Sequence, residues 1–349
     1  MRPAAHLILT VDYELFGDGS GDTDCCVVNP SEKILEISGE FSAPVTFFVE
    51  ALEFLHLGRV PANRARMDRV SAQLISAVKN GHDAQLHLHP QWHDADVTNS
   101  LEPKLDLARW RVGDLDEIEV NRIFDEGSAW LRDLLRPIDE NYCCNVFRAG
   151  GWCIQPSATV VGAMLRQGID MDTTVAPGYR NTTKGEWSDF RHAPNAPFWH
   201  ADADVCTASM NGILEVPIVT GGISRWRHLY ALLQSRRAGH GGLAEGCHGS
   251  YQGPHGGADS IAGKIGKLLR LGHVMLDFST MPVDVLIDVT EQWLAKHYGG
   301  AAPIPIVAIG HSKNFTPRSA SALHAYLKWA AAEDIRFSTF GKWREAINE

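Results

Sequence analysis

The sequence predicts an α/β fold, a distorted (β/α) barrel of about seven parallel strands, interrupted by irregular hairpin and loop insertions. Three observations carry this expectation. Short runs rich in β-branched and aromatic residues alternate with stretches of helical apolar period along the whole chain, the pattern of parallel strands joined by crossover helices. The chemistry-bearing residues Asp12, His87, His89, Arg148, Asp172 and His311 each stand where one of these short runs ends. In a β/α barrel the C-terminal rim of the strands is where catalytic groups gather. Finally, 349 residues suit one large α/β barrel, so a single domain over 1–349 is expected.

Taken in order, His6–Asp12 (HLILTVD) reads as a buried strand that ends in acid and runs on into Tyr13 and Glu14. The segment Gly17–Asp24 (GDGSGDTD) lacks full EF-hand spacing and is expected to be a solvated loop. Asn29-Pro30-Ser31 supplies a cap and a first-turn proline for a helix over KILEISGEF. Val45–Glu50 (VTFFVE) is a second strand, and residues 64–79 an amphipathic helix stopped by Asn80-Gly81. The strand Asp83–His89 ends at Pro90, which has no N–H for a sheet ladder. A long loop over 90–114 leads to a helix around 115–135, a strand Asn145–Arg148, a helix opened by Pro156-Ser157 and a short strand near Gly168–Asp172.

From Thr173 to Asn211 the periodicity fades among Trp, Pro, His and Asn, so loops and hairpins over the active face are expected. Ile213–Ile218 is a further strand. Residues 225–237 read as helix, 238–257 as a Gly/His-rich loop and 259–271 as helix. Strand His273–Phe278, helix 283–298, strand Ile304–Ile309, helix 318–333 and strand Ile335–Thr339 complete the series.

The net charge of −10 and pI near 5.9 leave no basic footprint, so no nucleic-acid partner is expected. Residues 1–16 lack a secretory h-region, and no run reaches transmembrane length; a cytoplasmic protein without a membrane span is the expectation. Seven scattered cysteines suggest neither a disulfide framework nor a zinc knuckle, and reduced thiols are expected.

The richest stretch is Gln85–His93 (QLHLHPQWH). On a strand His87 and His89 share one face and Leu86 and Leu88 the other. Pro90 lets the chain bend, which is expected to bring His93 back toward the pair. Neutral imidazoles at this spacing suit a borderline cation, Zn²⁺ first. Asp12, ending a buried apolar strand, needs a partner in any role. Trp187 and Trp199 in the irregular segment suit sugar stacking or core filling equally.

Five motifs stand in order: LTVDYE (9–14), VTFFVE (45–50), LHLHPQWH (86–93), FRAGGW (147–152) and AIGHSKNF (308–315). Together they resemble the polysaccharide deacetylase family (NodB homology, carbohydrate esterase family 4), in a divergent branch with TVDxE and HxHPxW. GIDMDTTV (168–175) and LEVPI (214–218) resemble two further segments of that family. The resemblance implies a distorted β/α barrel and a divalent metal. Asp12 would be the general base, Arg148 would hold its carboxylate, and His311 would be the general acid that protonates the leaving group. His87, with His89 or His93, would ligate the metal. Trp152 would wall the acyl pocket, with Trp92, Tyr13 and Asp172 as further substrate contacts, although Asp172 as a turn cap is the stronger alternative.

The sequence departs from the family at Tyr13, which stands where a metal-binding Asp is usual; Glu14, on the strand face of Asp12, is the substitute, or Asp12 itself binds. The family's His-x-x-x-His spacing fits His89 and His93, whereas alignment on Gly81-His82-Asp83 makes His87 first and Gln91 second. Amide hydrolysis needs an activated water, a nearby carboxylate and a proton donor, which this set supplies.

The expected function is therefore metal-dependent removal of an N- or O-linked acetyl group from a carbohydrate (free, nucleotide-linked or lipid-linked) in bacterial surface-polysaccharide biosynthesis. An allantoinase-like cyclic-amide hydrolase of the same fold and a non-catalytic saccharide-binding barrel are the alternatives. A His-x-His amidohydrolase barrel fits less well, because its pair belongs on the first strand.

Overall fold

The computed structural model describes residues 4–98, 103–182, 185–224, 226–227, 272–300 and 302–348. Most of the helix expected over 225–237, and all of the loop 238–257 with His248 and His255 and of the helix 259–271, lie outside them. In order, the elements are β1 (Ala5–Tyr13), a π-helical turn (Asp24–Val28) continuing into α1 (Asn29–Gly39), β2 (Val45–Glu50), α2 (Ala51–Gly58), α3 (Arg64–Lys79), β3 (Asp83–Leu88), α4 (Glu117–Leu135) and β4 (Val146–Ala149). There follow α5 (Ala158–Arg166), β5 (Met171–Asp172), the hairpin β6 (Arg180–Thr182) and β7 (Trp187–Asp189), β8 (Trp199–Ala201), β9 (Ile213–Glu215), β10 (Thr220–Gly222) and β11 (His273–Met275). α6 (Val283–His297), β12 (Ile304–His311), α7 (Pro317–Ala332), β13 (Arg336–Phe337) and α8 (Phe340–Asn348) end the chain.

The main sheet runs β12-β1-β2-β3-β4-β5-β9-β8, with β13 also on β1. Every step from β12 to β9 is parallel, and β8 joins β9 antiparallel. All nine residues of β1 and all six of β2 are buried. That is what a curled parallel sheet requires, since helices cover one face and barrel contents the other. Among the described residues the seam between β9 and β12 carries no ladder. Instead single parallel bridges join Ile218 to Val307 and Asp277 to Ile309. Val219 donates to the Val307 carbonyl at 3.1 Å and Phe278 to that of Ile309 at 2.9 Å.

The helix starts obey local chemistry. Asp116 and Glu119 form a capping box on α4, and the Thr316 hydroxyl accepts from Ser319 N at α7, with Pro317 in the first turn.

Three differences from the expected elements have physical reasons. Helix α2 follows β2 directly, with no capping side chain to mark it, and its apolar Ala51, Leu52, Phe54 and Leu57 simply continue the strand's hydrophobic run. Residues His273–Met275 pair with β10 as a small antiparallel ribbon, not as a barrel strand; the exposed–buried alternation there fits one solvated face. The last residues, Phe340–Asn348, form a helix that buries Phe340 and Trp343. Cys25, Cys143, Cys144, Cys153 and Cys206 are free thiols, whereas Cys26 is disulfide-bonded, against the expectation of a fully reduced set.

Strand register builds the site. Asp12 lies level with His311 on one side and Phe48 on the other; Glu50 lies level with His87, and His87 with Arg148. Residues level across parallel strands share a face, and residues two apart on one strand share it too. Asp12, Glu50, His87, Arg148 and His311 therefore face the same interior, at the strands' C-terminal ends.

Candidate metal and acid–base centre

Two groups of ligand-type side chains meet at this rim and share one member: Glu14, Glu50, His87 and His89, and Asp12, Glu14 and His311. His87 Nδ1 donates to the Arg148 main-chain oxygen at 2.9 Å. That bond fixes the tautomer, leaving the Nε2 lone pair directed at Glu14 Oε2, 3.6 Å away. Among the described residues, Nε2 is buried without a hydrogen-bond partner, and so is Glu50 Oε1. Two unmet buried acceptors are an arrangement folded proteins avoid, and a cation between them removes the cost.

His89 presents Nδ1 to both acids, 2.8 Å from Glu50 Oε2 and 3.1 Å from Glu14 Oε2. Its other edge lies on Gly150, where a Cβ would sit only 2.3 Å from the ring, so the close approach needs glycine. The two imidazoles are edge-on, 4.8 Å between centroids.

Beside this group Asp12 is held from two sides. Arg148 Nη1 reaches Oδ1 at 2.7 Å, and His311 Nε2 lies 3.3 Å from Oδ2. Arg148 also donates to the Thr173 carbonyl at 3.1 Å, and its guanidinium stacks 4.2 Å above the Phe48 ring. Trp152 stands edge-on to His311, 6.1 Å between centroids, and to Tyr179 at 5.7 Å. Trp152 has a φ of 57°, a left-handed conformation that is costly for a bulky residue and clusters at functional sites.

The acids divide by environment. Burial alone would push Asp12 up, but the neighbouring Arg148 guanidinium above all outweighs it and holds its carboxyl below the ordinary aspartate value. Glu14 is held well below its ordinary value against the same burial, by Lys313 first and then His89. Glu50 goes the other way: burial pushes it up to about 7, and His89 offsets this only in part. In the metal-free protein the folded state thus keeps a proton on Glu50 that the unfolded chain loses near its ordinary value of 4.5. The penalty is absent below the unfolded value and complete above the folded one. Stability in chelator should therefore fall as pH rises through this window, by about 3 kcal/mol at most from this group. Denaturant titration of wild type against Glu50→Gln measures it. The variant should lack this part of the slope, and parallel pH profiles would rule the assignment out.

No protein-family model matches the chain, and no curated protein matches its sequence. Among solved structures it is similar to a glycoside hydrolase/deacetylase from Parabacteroides distasonis, with 13% identity, a TM-score of 0.57, and coverage of 99% of this chain and 71% of that one. It is also similar to Puue allantoinase, with 12% identity, a TM-score of 0.51, and coverage of 99% and 90%. A polysaccharide deacetylase from Mycobacterium smegmatis aligns over 100% of this chain and 91% of its own, at 14% identity and a TM-score of 0.47. The fold is that of the NodB-like deacetylases. At such identities the likeness speaks for the fold, and the chemistry rests on the side chains.

Within that NodB-like barrel the expected residues divide. Asp12, Glu14, His87, His89, Arg148, His311 and Trp152 converge. His93, Tyr13, Trp92 and Asp172 do not, and each has a reason. The turn Pro90–Trp92 carries His93 past the rim; its Nε2 lies 3.8 Å from Asp94, and it lines a separate cavity of about 640 Å³ with His56, Arg59 and Arg122. Tyr13 falls on the strand face opposite Asp12, fully buried among Phe47 and Phe54, and its hydroxyl donates to Gln73 at 2.8 Å. Tyr13→Phe should cost about 1 kcal/mol in a denaturant melt, with KM unchanged.

Trp92 is 1% exposed, its ring beneath the Gly17–Asp24 loop, too closed for a ligand. Asp172 is fully buried and caps Thr174, accepting from its N–H at 3.0 Å and its hydroxyl at 2.8 Å. Gln91, in the alternative second-histidine position, donates instead to the Gly17 carbonyl at 2.9 Å.

Three residues of the site had no assigned role in the sequence. Glu50 ends the VTFFVE motif, and an acid closing a buried strand was the available signal. Glu53, on α2, accepts the Leu15 N–H and is kept well above the ordinary glutamate value by burial and then by the neighbouring Glu50 and Glu14. Lys313, two residues beyond His311, pairs with Glu14 at 2.6 Å.

Proposed function

We propose that this chain is a metal-dependent hydrolase that removes an acetyl group, N- or O-linked, from a carbohydrate, in the assembly of a bacterial surface polysaccharide. One observation supports this above the others: the buried, unmet His87 Nε2 points at a carboxylate beside an acid held by both a guanidinium and a second imidazole. Two imidazoles with carboxylates make a donor set of the kind zinc takes. Glu14, His87 and His89 would hold the ion, with Glu50 beside them. A divalent cation seated there would supply Lewis acidity, polarising an acyl carbonyl and acidifying water.

The chain's own groups do the proton work. Asp12, kept ionised by Arg148, takes a proton from the attacking water through Oδ2, since Oδ1 is occupied by Arg148. His311 is the most exposed of the set, its side chain 13% accessible, and delivers a proton to the departing nitrogen or oxygen. Trp152 walls the side on which the acyl group sits, next to His311. Among the described residues no helix is long and apolar enough to cross a membrane.

Zinc content by elemental analysis, followed by acetate release from N-acetylated sugars with and without chelator, tests the reading. Chelator-sensitive release supports it. Ureide hydrolysis without acetate release favours the second reading, an allantoinase-like activity, which the similarity to Puue allantoinase brings into view. Sugar binding with neither activity would leave a saccharide-binding barrel.

A further inference from the structure

The two oxygens of Glu14 have different neighbours. Oε2 faces both imidazoles, 3.6 Å from His87 Nε2 and 3.1 Å from His89 Nδ1. Oε1 takes the Lys313 ammonium at 2.6 Å. That ammonium also donates to the Leu15 carbonyl at 3.0 Å and lies 5.9 Å from the centroid of the Phe16 ring. The Leu15 N–H is meanwhile held by Glu53. Both main-chain groups of the residue after Glu14 are therefore tied, one by a buried acid from α2 and one by a lysine from the turn after β12.

The geometry points to Lys313 as a positioning residue of the metal centre: it claims one oxygen of Glu14 and leaves the other to a cation seated between Glu14, His87 and His89. A buried carboxylate without this partner would be an uncompensated charge with both oxygens free to turn. The opposing effect is repulsion between ammonium and dication. It loses because the carboxylate lies between them, with Lys313 on the oxygen turned away from the imidazoles. Partners that fix a ligand's orientation in this way are typically worth on the order of 10–100-fold in metal affinity. His311 and Lys313 leave β12 two residues apart, so one short segment would set both the proton donor and the orientation of a metal ligand.

This inference rests on the metal-hydrolase reading, and its test separates the two. The zinc Kd is measured by competition with a chromophoric chelator for wild type, Lys313→Met and Lys313→Arg, with circular dichroism of the metal-free proteins as the control for folding. Lys313→Met should bind zinc on the order of 10–100-fold more weakly, and Lys313→Arg, which keeps a cation on Oε1, should restore most of the loss. The visible spectrum of the cobalt-loaded proteins should change in Lys313→Met and not in Lys313→Arg. If Lys313→Met does not fold, Lys313→Gln, uncharged but still a donor to Leu15, takes its place with the same expectation. Equal or tighter zinc binding by the uncharged variant overturns the role of Lys313 alone. A wild type that binds no zinc overturns the metal reading, and this inference with it.

Discussion

Asp12→Asn should lower kcat for acyl hydrolysis by on the order of 10²–10⁴, the usual contribution of a general base, with KM close to wild type and a lowered melting temperature, because the buried Arg148 guanidinium loses its counter-charge. The amide keeps an oxygen for Arg148 at the Oδ1 position, now 2.7 Å from Nη1, and an N–H toward His311. The shape and hydrogen-bonding partners are kept, while the charge and the proton-accepting capacity are lost. Steady-state kinetics with zinc loading matched between the two proteins would measure it. A variant that retains wild-type kcat would show that some other group takes the proton, and Glu14 or Glu50 would be the next to examine.

Arg148→Met is expected to act on stability. Arg148 is fully buried, and Asp12 is 3% exposed, so removing the guanidinium strands a carboxylate in the barrel. Breaking a buried pair from one side typically costs about 3–5 kcal/mol, which for a chain of this size lowers Tm by on the order of 10 °C. The charge argument makes a sharper prediction for the double variant. Asp12→Asn combined with Arg148→Met removes both charges of the pair, so it should melt above Arg148→Met alone. If the two melt together, the loss comes from the packing of Arg148 on Phe48 and its bond to Thr173, and the charge contributes little.

How much of this was legible in the sequence depends on the distance over which each signal acts. Period-two alternation within one strand is local. It correctly separates His87 and His89 from Leu86 and Leu88, and on the same rule it sets Tyr13 apart from Asp12 and Glu14. The position of ionisable residues at strand ends is equally local, and it marks Asp12, Arg148 and His311. What could not be read were the partners that register supplies. Glu50 meets His87 only because β2 and β3 pair at that level, and Lys313 meets Glu14 only because β12 lies beside β1. A single sequence encodes these pairings weakly, as it does the direction of a turn. The same Pro90 that ended the third strand as expected also starts the short helical turn that sends His93 outward. Helix α2 is hidden in the sequence for a different reason: it follows an apolar strand with no capping residue between them, so hydrophobicity alone shows one continuous stretch.

Arg148 serves the centre twice, through different atoms. Its guanidinium grips the acid that takes the proton, and its peptide carbonyl orients the imidazole that faces the cation. Mutagenesis reaches only the first of these. Any replacement at 148 that preserves the β4 backbone leaves the carbonyl in place, so Arg148→Met should keep its affinity for zinc even as the proton acceptor loosens. The two halves of the chemistry are thus fastened to one peptide unit and can be uncoupled by shortening a single side chain.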